Sequence, residues 1–248
     1  MVDGGLGARE QESLHSAAPG ITTVAAVVLT FRRPRLATQV VRGLLEVEGL
    51  APSHVVVVVN GEGGLDDPAL EAQVTVVRLP ANVGPAGGFR AGMLEALRLP
   101  GVRWVYLCED DVGLFDLPSP RVGALVARVE ALEDASVGAV VSYGRDRRGR
   151  GGHTLPHRVS GPHGFEEVDA AAWGATLVVR AALDAGVLPD PAYFFGYEDF
   201  DFCYQLRAAG YRVLVDREAA GAGRETAAGR AQAFAGQRPN DRDEPWRA

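Results

Sequence analysis

The stretch Arg103-Trp104-Val105-Tyr106-Leu107-Cys108-Glu109-Asp110-Asp111 is an apolar run that breaks off into three consecutive acids. The run is short, and aromatic and β-branched residues fill its middle, so it reads as a buried strand. Three adjacent carboxylates at the end of such a strand repel one another and resist leaving water. A divalent cation that favours hard oxygen ligands, Mg2+ or Mn2+, is the simplest neutralising partner. A solvated acidic turn is the plain alternative. In α/β sheets ligands bind beyond the carboxyl ends of the strands, where these acids would sit.

A chain of 248 residues, 47% apolar, has material for one large α/β domain. The net charge of -7 argues against a general nucleic-acid binder, since no basic surplus exists to neutralise phosphates. Lysine is absent, so every fixed cation is Arg, which rules out a P-loop lysine or a Schiff base. Cys108 and Cys203 both lie in apolar patterns and read as buried free thiols. No apolar run is long enough to span a bilayer, and the N-terminus lacks a signal-peptide layout. The expectation is a cytoplasmic protein.

Along the chain, strands alternate with helices. Residues 1–20 read as a flexible tail. Apolar runs at Val24–Thr30, Val55–Val59, Val74–Val77, Val137–Tyr143, Trp173–Val179 and Tyr211–Val215 read as further strands. Helical patterns follow Pro34, span Asp66–Leu70, run from the Gly-rich loop to Arg98, cover Pro118–Glu133 and end near Ala209 before Gly210. Gly144–Gly164, with five arginines and His153, His157 and His163, reads as a mobile basic loop that orders over a bound ligand. Residues 21–216 form the expected domain. Residues 217–248 are expected to be a tail, partly helical or disordered. Alternating βα units predict a mainly parallel central sheet under right-handed crossovers.

Two further constellations carry chemistry. Asn82-Val83-Gly84-Pro85-Ala86-Gly87-Gly88-Phe89 permits close backbone approach and opens a helix, whose free N–H groups favour anions. A dinucleotide fingerprint would need its glycines after the first strand, whereas these follow the third. Glu198-Asp199 opens another helix and suits either a helix cap or a general base.

Together, the residues Asn82 to Met93, Glu109-Asp110-Asp111 and Glu198-Asp199-Phe200-Asp201 resemble a family 2 glycosyltransferase. The resemblance covers about Val24 to Asp216 and is similar to rhamnosyl- and galactofuranosyltransferase-like members. It implies a GT-A-like, Rossmann-type three-layer α/β sandwich. It also implies an inverting transfer of a sugar from a UDP- or dTDP-sugar to a hydroxyl acceptor: a glycan, a lipid-linked saccharide or a small molecule. Within it, Thr30, Phe31, Arg33, Asn60, Asn82, Gly84, Gly87, Gly88, Arg90, Glu109 and Asp110 fall at donor-binding positions. Asp111 falls at the metal position, for Mn2+ or Mg2+. Asp199 falls at the catalytic base, with Glu198 orienting the acceptor, and Trp173 and Gly174 lie near the acceptor.

Two departures stand out. Val59-Asn60 replaces the acidic residue the family usually places at the second strand end. No His follows Asp216, where relatives often supply a further metal ligand, so the metal would rest on Asp111, phosphates and water. The alternatives are a sugar nucleotidyltransferase, which lacks its expected Gly-rich loop after the first strand here, and a non-catalytic nucleotide-sugar-binding relative.

Overall fold

The computed structural model describes residues 21–111, 121–148 and 153–220. The elements are β1 (Val24–Thr30), α1 (Pro34–Arg42), β2 (Val55–Asn60), α2 (Pro68–Glu71), β3 (Thr75–Leu79), α3 (Gly84–Ala96), β4 (Trp104–Glu109), α4 (Val122–Glu130), β5 (Val137–Val141), β6 (Gly144–Arg148), β7 (His153–Pro156), β8 (Phe165–Glu167), β9 (Ala170–Ala171), β10 (Ala175–Val179), α5 (Arg180–Asp184), α6 (Glu198–Ala208) and β11 (Arg212–Asp216).

The continuous apolar runs become strands buried on both faces. In β1, Ala25, Val27 and Leu29 enter one apolar layer, and Val24, Ala26 and Val28 enter the opposite one. Runs of this kind need helices on both sides. Val40 and Val41 of α1 and Val122, Val126 and Val129 of α4 seal one face. Phe89 and Met93 of α3, Leu183 of α5, and Phe202 and Leu206 of α6 seal the other. The result is a three-layer α/β/α sandwich.

Its eight-stranded sheet has the order β3-β2-β1-β4-β10-β5-β11-β8. β1 to β4, β5 and β11 run parallel, and β10 and β8 oppose them. β1 is flanked by β2 on one side and β4 on the other, so the strand order reverses there. Such a switch point opens a crevice at the carboxyl ends. Register places Thr30 beside Val59 and Leu29 beside Glu109. Antiparallel β10 starts at the same edge, Ala175 pairing with Cys108, which brings Trp173 and Gly174 to the crevice side.

Three elements differ from expectation. The helix expected from Pro118 begins at Val122; Pro118 itself lies outside the described residues. Glu48, only 2% exposed, caps that helix from 73 positions away: one carboxylate oxygen accepts the N–H groups of Arg121 and Val122 at 2.7 Å each. A carboxylate at a helix N-terminus satisfies orphan donors and complements the dipole. The strand expected from Trp173 begins at Ala175.

The third difference is the basic loop. Gly144–Arg148 and His153–Pro156 pair as β6 and β7, and β9 completes a small antiparallel sheet. The Arg145 guanidinium donates to the Thr154 hydroxyl at 2.7 Å and to its carbonyl at 3.0 Å. These partners fix a segment whose composition alone reads as irregular.

His157 ties this sheet to the main one. Nδ1 lies 2.8 Å from Asp146 and Nε2 lies 2.6 Å from Glu166, which Arg217 also pairs at 2.6 Å. Burial opposes the imidazolium, but hydrogen bonds to Glu166 and Asp146 outweigh it and raise the His157 pKa. A raised folded-state pKa stabilises fully below the unfolded value and is lost as pH rises through the folded one. His157→Gln should therefore cost about 1–3 kcal/mol near pH 6 and progressively less toward alkaline pH. Urea unfolding across that range checks it; a pH-independent gap between the proteins would refute the clamp.

The expected tail boundary falls inside the folded body. Ala220 packs in the apolar layer beneath α6, and Arg128 pairs with Asp216 at 2.5 Å and Glu218 at 2.6 Å. Residues 1–20 and 221–248 lie outside the described residues. No helix among the described residues is long and apolar enough to cross a membrane.

Candidate functional site

The carboxyl ends of β1, β2 and β4 surround a cavity of about 310 Å3. Leu29, Phe31, Arg33, Asn60, Asn82, Gly84, Pro85, Glu109, Phe194 and Phe195 line it. Six of these were expected from sequence: Phe31, Arg33, Asn60, Asn82, Gly84 and Glu109. A small mainly apolar cleft with a few convergent polar groups is the usual form of a ligand site.

The acids at the tip of β4 are held in different ways. Asp110 is 1% exposed; the Thr30 hydroxyl donates to its Oδ2 at 2.7 Å. Its Oδ1 lies 2.9 Å from Arg33 Nη2 yet receives no well-aligned hydrogen bond. Asp111 is half exposed and accepts from Arg33 Nη1 at 2.9 Å. One guanidinium thus forks across both carboxylates.

Burial, then the Asp111 and Asp110 charges, push Glu109 up to about 7, with Arg33 opposing and Glu198 adding. Burial also raises Asp110 to about 6, against the Thr30 hydrogen bond and Arg33. The loop that leads into α6 reaches the tip of β4: Phe194 and Phe195 line the same cavity as Glu109. Among the described residues, no three His, Cys, Asp or Glu side chains cluster tightly enough to hold a metal alone. The donor set still suits a hard cation: clustered carboxylates, one of them with an unsatisfied buried oxygen.

The Gly-rich segment works differently from its sequence reading. Asn60 donates to Asn82 Oδ1 at 3.0 Å and to the Gly84 carbonyl at 3.1 Å, and accepts from Val83 N at 2.9 Å. Gly84 N donates to Asn82 Oδ1 at 2.9 Å. Both amide protons of Asn60 are engaged, so its main work is to latch β2 to the start of α3. Gly84 has φ +75, and a Cβ there would collide with the Phe194 carbonyl. Only glycine meets both conditions. Gly88 lets α3 press against Leu29, and a Cβ at Gly87 would crowd Val83. Neither lines the cavity. Arg90 is not among the lining residues either and donates to the Pro189 carbonyl at 3.1 Å.

At the start of α6, Glu198 is 5% exposed and its Oε2 is buried with no partner. Asp199 Oδ1 accepts from Phe200 N at 2.8 Å. Burial raises the Asp199 pKa, opposed by the backbone N–H groups of Phe200 and Trp173 and by the Arg145 charge. Burial, with the Asp199 charge adding, raises Glu198 likewise. Tyr197, just before them, holds φ 68, a left-handed conformation costly for a non-glycine residue. Asp201 is occupied with Gln205 at 2.5 Å, a structural role.

Trp173, placed near an acceptor from sequence, stacks in the body of the protein. Its ring lies 4.9 Å from Phe89 and 5.3 Å from Phe202, bridging α3 and α6. Gly174, at φ 148, has open space around its Cα. The exposed aromatics at this edge are instead Phe194 (54%), Phe195 (66%) and Tyr197 (71%). In sequence, the available signal was a cluster of four aromatics, Tyr193, Phe194, Phe195 and Tyr197, directly before two acids. Sequence reasoning also missed Arg145, whose guanidinium sits 5.7 Å over the Phe200 ring beside Asp199. The cysteines behave as expected: both are free and buried, and burial pushes Cys203 up to about 12.

No family model matches the sequence. Over 95 residues, 36% of the chain, it is 37% identical to galactofuranosyltransferase GlfT1 of Mycolicibacterium smegmatis. Over 96 residues it is 40% identical to GlfT1 of Mycobacterium tuberculosis. The chain spans 30% of the length of these curated relatives. Among solved structures, GalNAc-T7 with UDP, GalNAc and Mn2+ superposes with a TM-score of 0.60 at 14% identity, covering 79% of this chain and 42% of that one. S. aureus TarS superposes with a TM-score of 0.51 at 15% identity, covering 78% and 57%. In fold this chain is a GT-A α/β sandwich like these glycosyltransferases, and part of its sequence is related to a galactofuranosyltransferase.

Proposed function

We propose that this protein transfers a sugar from a UDP- or dTDP-linked donor to a hydroxyl acceptor, with inversion at the anomeric carbon. The observation that carries this reading is a shared cavity: Glu109, at the tip of β4 beside Asp110 and Asp111, lines it together with Phe194 and Phe195 of the loop that leads into Glu198 and Asp199 of α6. The GlfT1 segment and the fold shared with GalNAc-T7 support sugar transfer as the class of reaction.

In this reading, Phe31 and the Phe194–Phe195 loop pack against the nucleotide base, with Thr30, Asn60 and Asn82 shaping the floor. The cavity's size suits part of a nucleotide with the rest in the open crevice. Asp199 removes the acceptor hydroxyl proton as that oxygen attacks the anomeric carbon. The bond to the diphosphate breaks and its electron pair leaves with the diphosphate. Asp199 Oδ1 accepts from Phe200 N, which fixes the aim of the carboxylate that takes the proton. Glu198, buried and unsatisfied, orients the acceptor. Arg33 lines the cavity and meets growing charge on the leaving group. Asp111, with Asp110 behind it, would hold Mn2+ or Mg2+, whose charge would stabilise the departing diphosphate.

Calorimetry with UDP and with dTDP, each with and without Mn2+, tests the donor. Mn2+-dependent binding of one nucleotide is expected. Asp111→Asn should weaken that binding by about 2 kcal/mol or more, because it removes a charged ligand. Unchanged Mn2+-dependent affinity in the variant would remove Asp111 from the metal position.

A further inference from the structure

Asp110 has a side chain with no solvent exposure at all, beside a second carboxylate. Such a pair needs a positive partner even when nothing is bound. Arg33 supplies it: Nη2 reaches Asp110 Oδ1 and Nη1 reaches Asp111 Oδ2, each at 2.9 Å. The same guanidinium lines the cavity, and it is the one cationic side chain among the described residues that do so. Its neighbour Arg32 is committed elsewhere, to Glu62 at 3.1 Å. Arg33 is 41% exposed and stands at the turn before α1, so its side chain has room to swing.

We propose that Arg33 is the resident counter-cation of the empty donor site, and that it yields the two carboxylates to a divalent cation only when a nucleotide diphosphate draws its guanidinium away. This rests on the metal position assigned above to Asp111. A guanidinium and a divalent ion at hydrogen-bond distance from the same two carboxylates repel each other strongly. A diphosphate offers Arg33 the bidentate acceptors that its fork prefers. Metal and nucleotide then bind cooperatively, and linkage requires that each raise the other's affinity by the same factor. The consequence is a site that does not collect free metal and closes its charge balance only around a complete donor.

The test is Mn2+ titration by calorimetry and by loss of the free-ion electron paramagnetic resonance signal. It uses the wild type, Arg33→Gln and Arg33→Lys, each with and without UDP. The wild type should bind Mn2+ about 10-fold or more tightly with UDP than without, within the usual range of coupling. Arg33→Gln should bind Mn2+ alone about 10-fold more tightly than the wild type does, and lose most of the UDP dependence. Arg33→Lys keeps the charge without the fork and should fall between them, while unfolding curves confirm that all three are folded. If the wild type shows UDP-dependent Mn2+ binding but Arg33→Gln binds Mn2+ alone no more tightly, the counter-cation role is wrong and the metal position stands. If neither protein binds Mn2+ with UDP or without it, the metal position itself is wrong and this proposal falls with it.

Discussion

Asp199→Asn is expected to lower turnover by about 10²–10⁴-fold, the usual worth of a positioned general base. Donor affinity should stay near the wild-type value, because Asp199 does not line the nucleotide cavity. The melting temperature should barely move. Asn keeps an oxygen that can accept from Phe200 N, so the local hydrogen bond survives the change. The variant removes the carboxylate's capacity to take a proton. Steady-state kinetics beside calorimetric UDP binding separate these effects. Normal turnover in Asp199→Asn together with a dead Glu198→Gln would move the base to Glu198, whose buried Oε2 also lacks a partner. Full activity in both would reduce the segment to a helix start and end the proposed mechanism.

Trp173→Ala should cost about 3–5 kcal/mol of stability, the range for deleting a large packed aromatic. The indole lies between Phe89 of α3 and Phe202 of α6, so its loss opens a hole where two helices meet over the sheet. For a domain of this size the unfolding midpoint should fall by roughly 6–20 °C. Trp173→Phe should recover most of the loss, because a smaller ring keeps the stack and removes an Nε1–H that is buried with no partner. If Trp173→Ala melts like the wild type while the acceptor KM rises, the indole belongs to the acceptor site and not to the scaffold.

The layers of the fold were legible because burial imposes a pattern on sequence. Val24–Thr30 and Val55–Asn60 are apolar at nearly every position because both faces of a central strand are covered, and no single-faced strand would tolerate that. The acid cluster was legible as a candidate site because three carboxylates at the end of a buried strand are costly to take out of water. Glu198 and Asp199 were ambiguous between cap and base on sequence grounds. The Phe194–Phe195 loop, which lines the cavity beside Glu109 and runs into α6, is what brings them toward the same crevice.

What the chain order could not decide is which side chains spend their hydrogen bonds on one another. Asn60 falls at a donor-binding position by resemblance, and its amide latches to Asn82, Val83 and Gly84. Arg90 falls at another, and it holds the Pro189 carbonyl 99 positions away. Glu48 carries no local signal at all and caps α4. Gly144–Gly164 looked irregular because its stability lies in cross-strand and ion-pair partners, not in its own periodicity. Residue order by itself determined the central strands, the longer helices that cover them and which strand end carries the acids, since solvent and core write those patterns locally. Only the tertiary structure decided that Arg33 forks across Asp110 and Asp111, because that contact joins positions 78 apart and depends on the β1–β4 register.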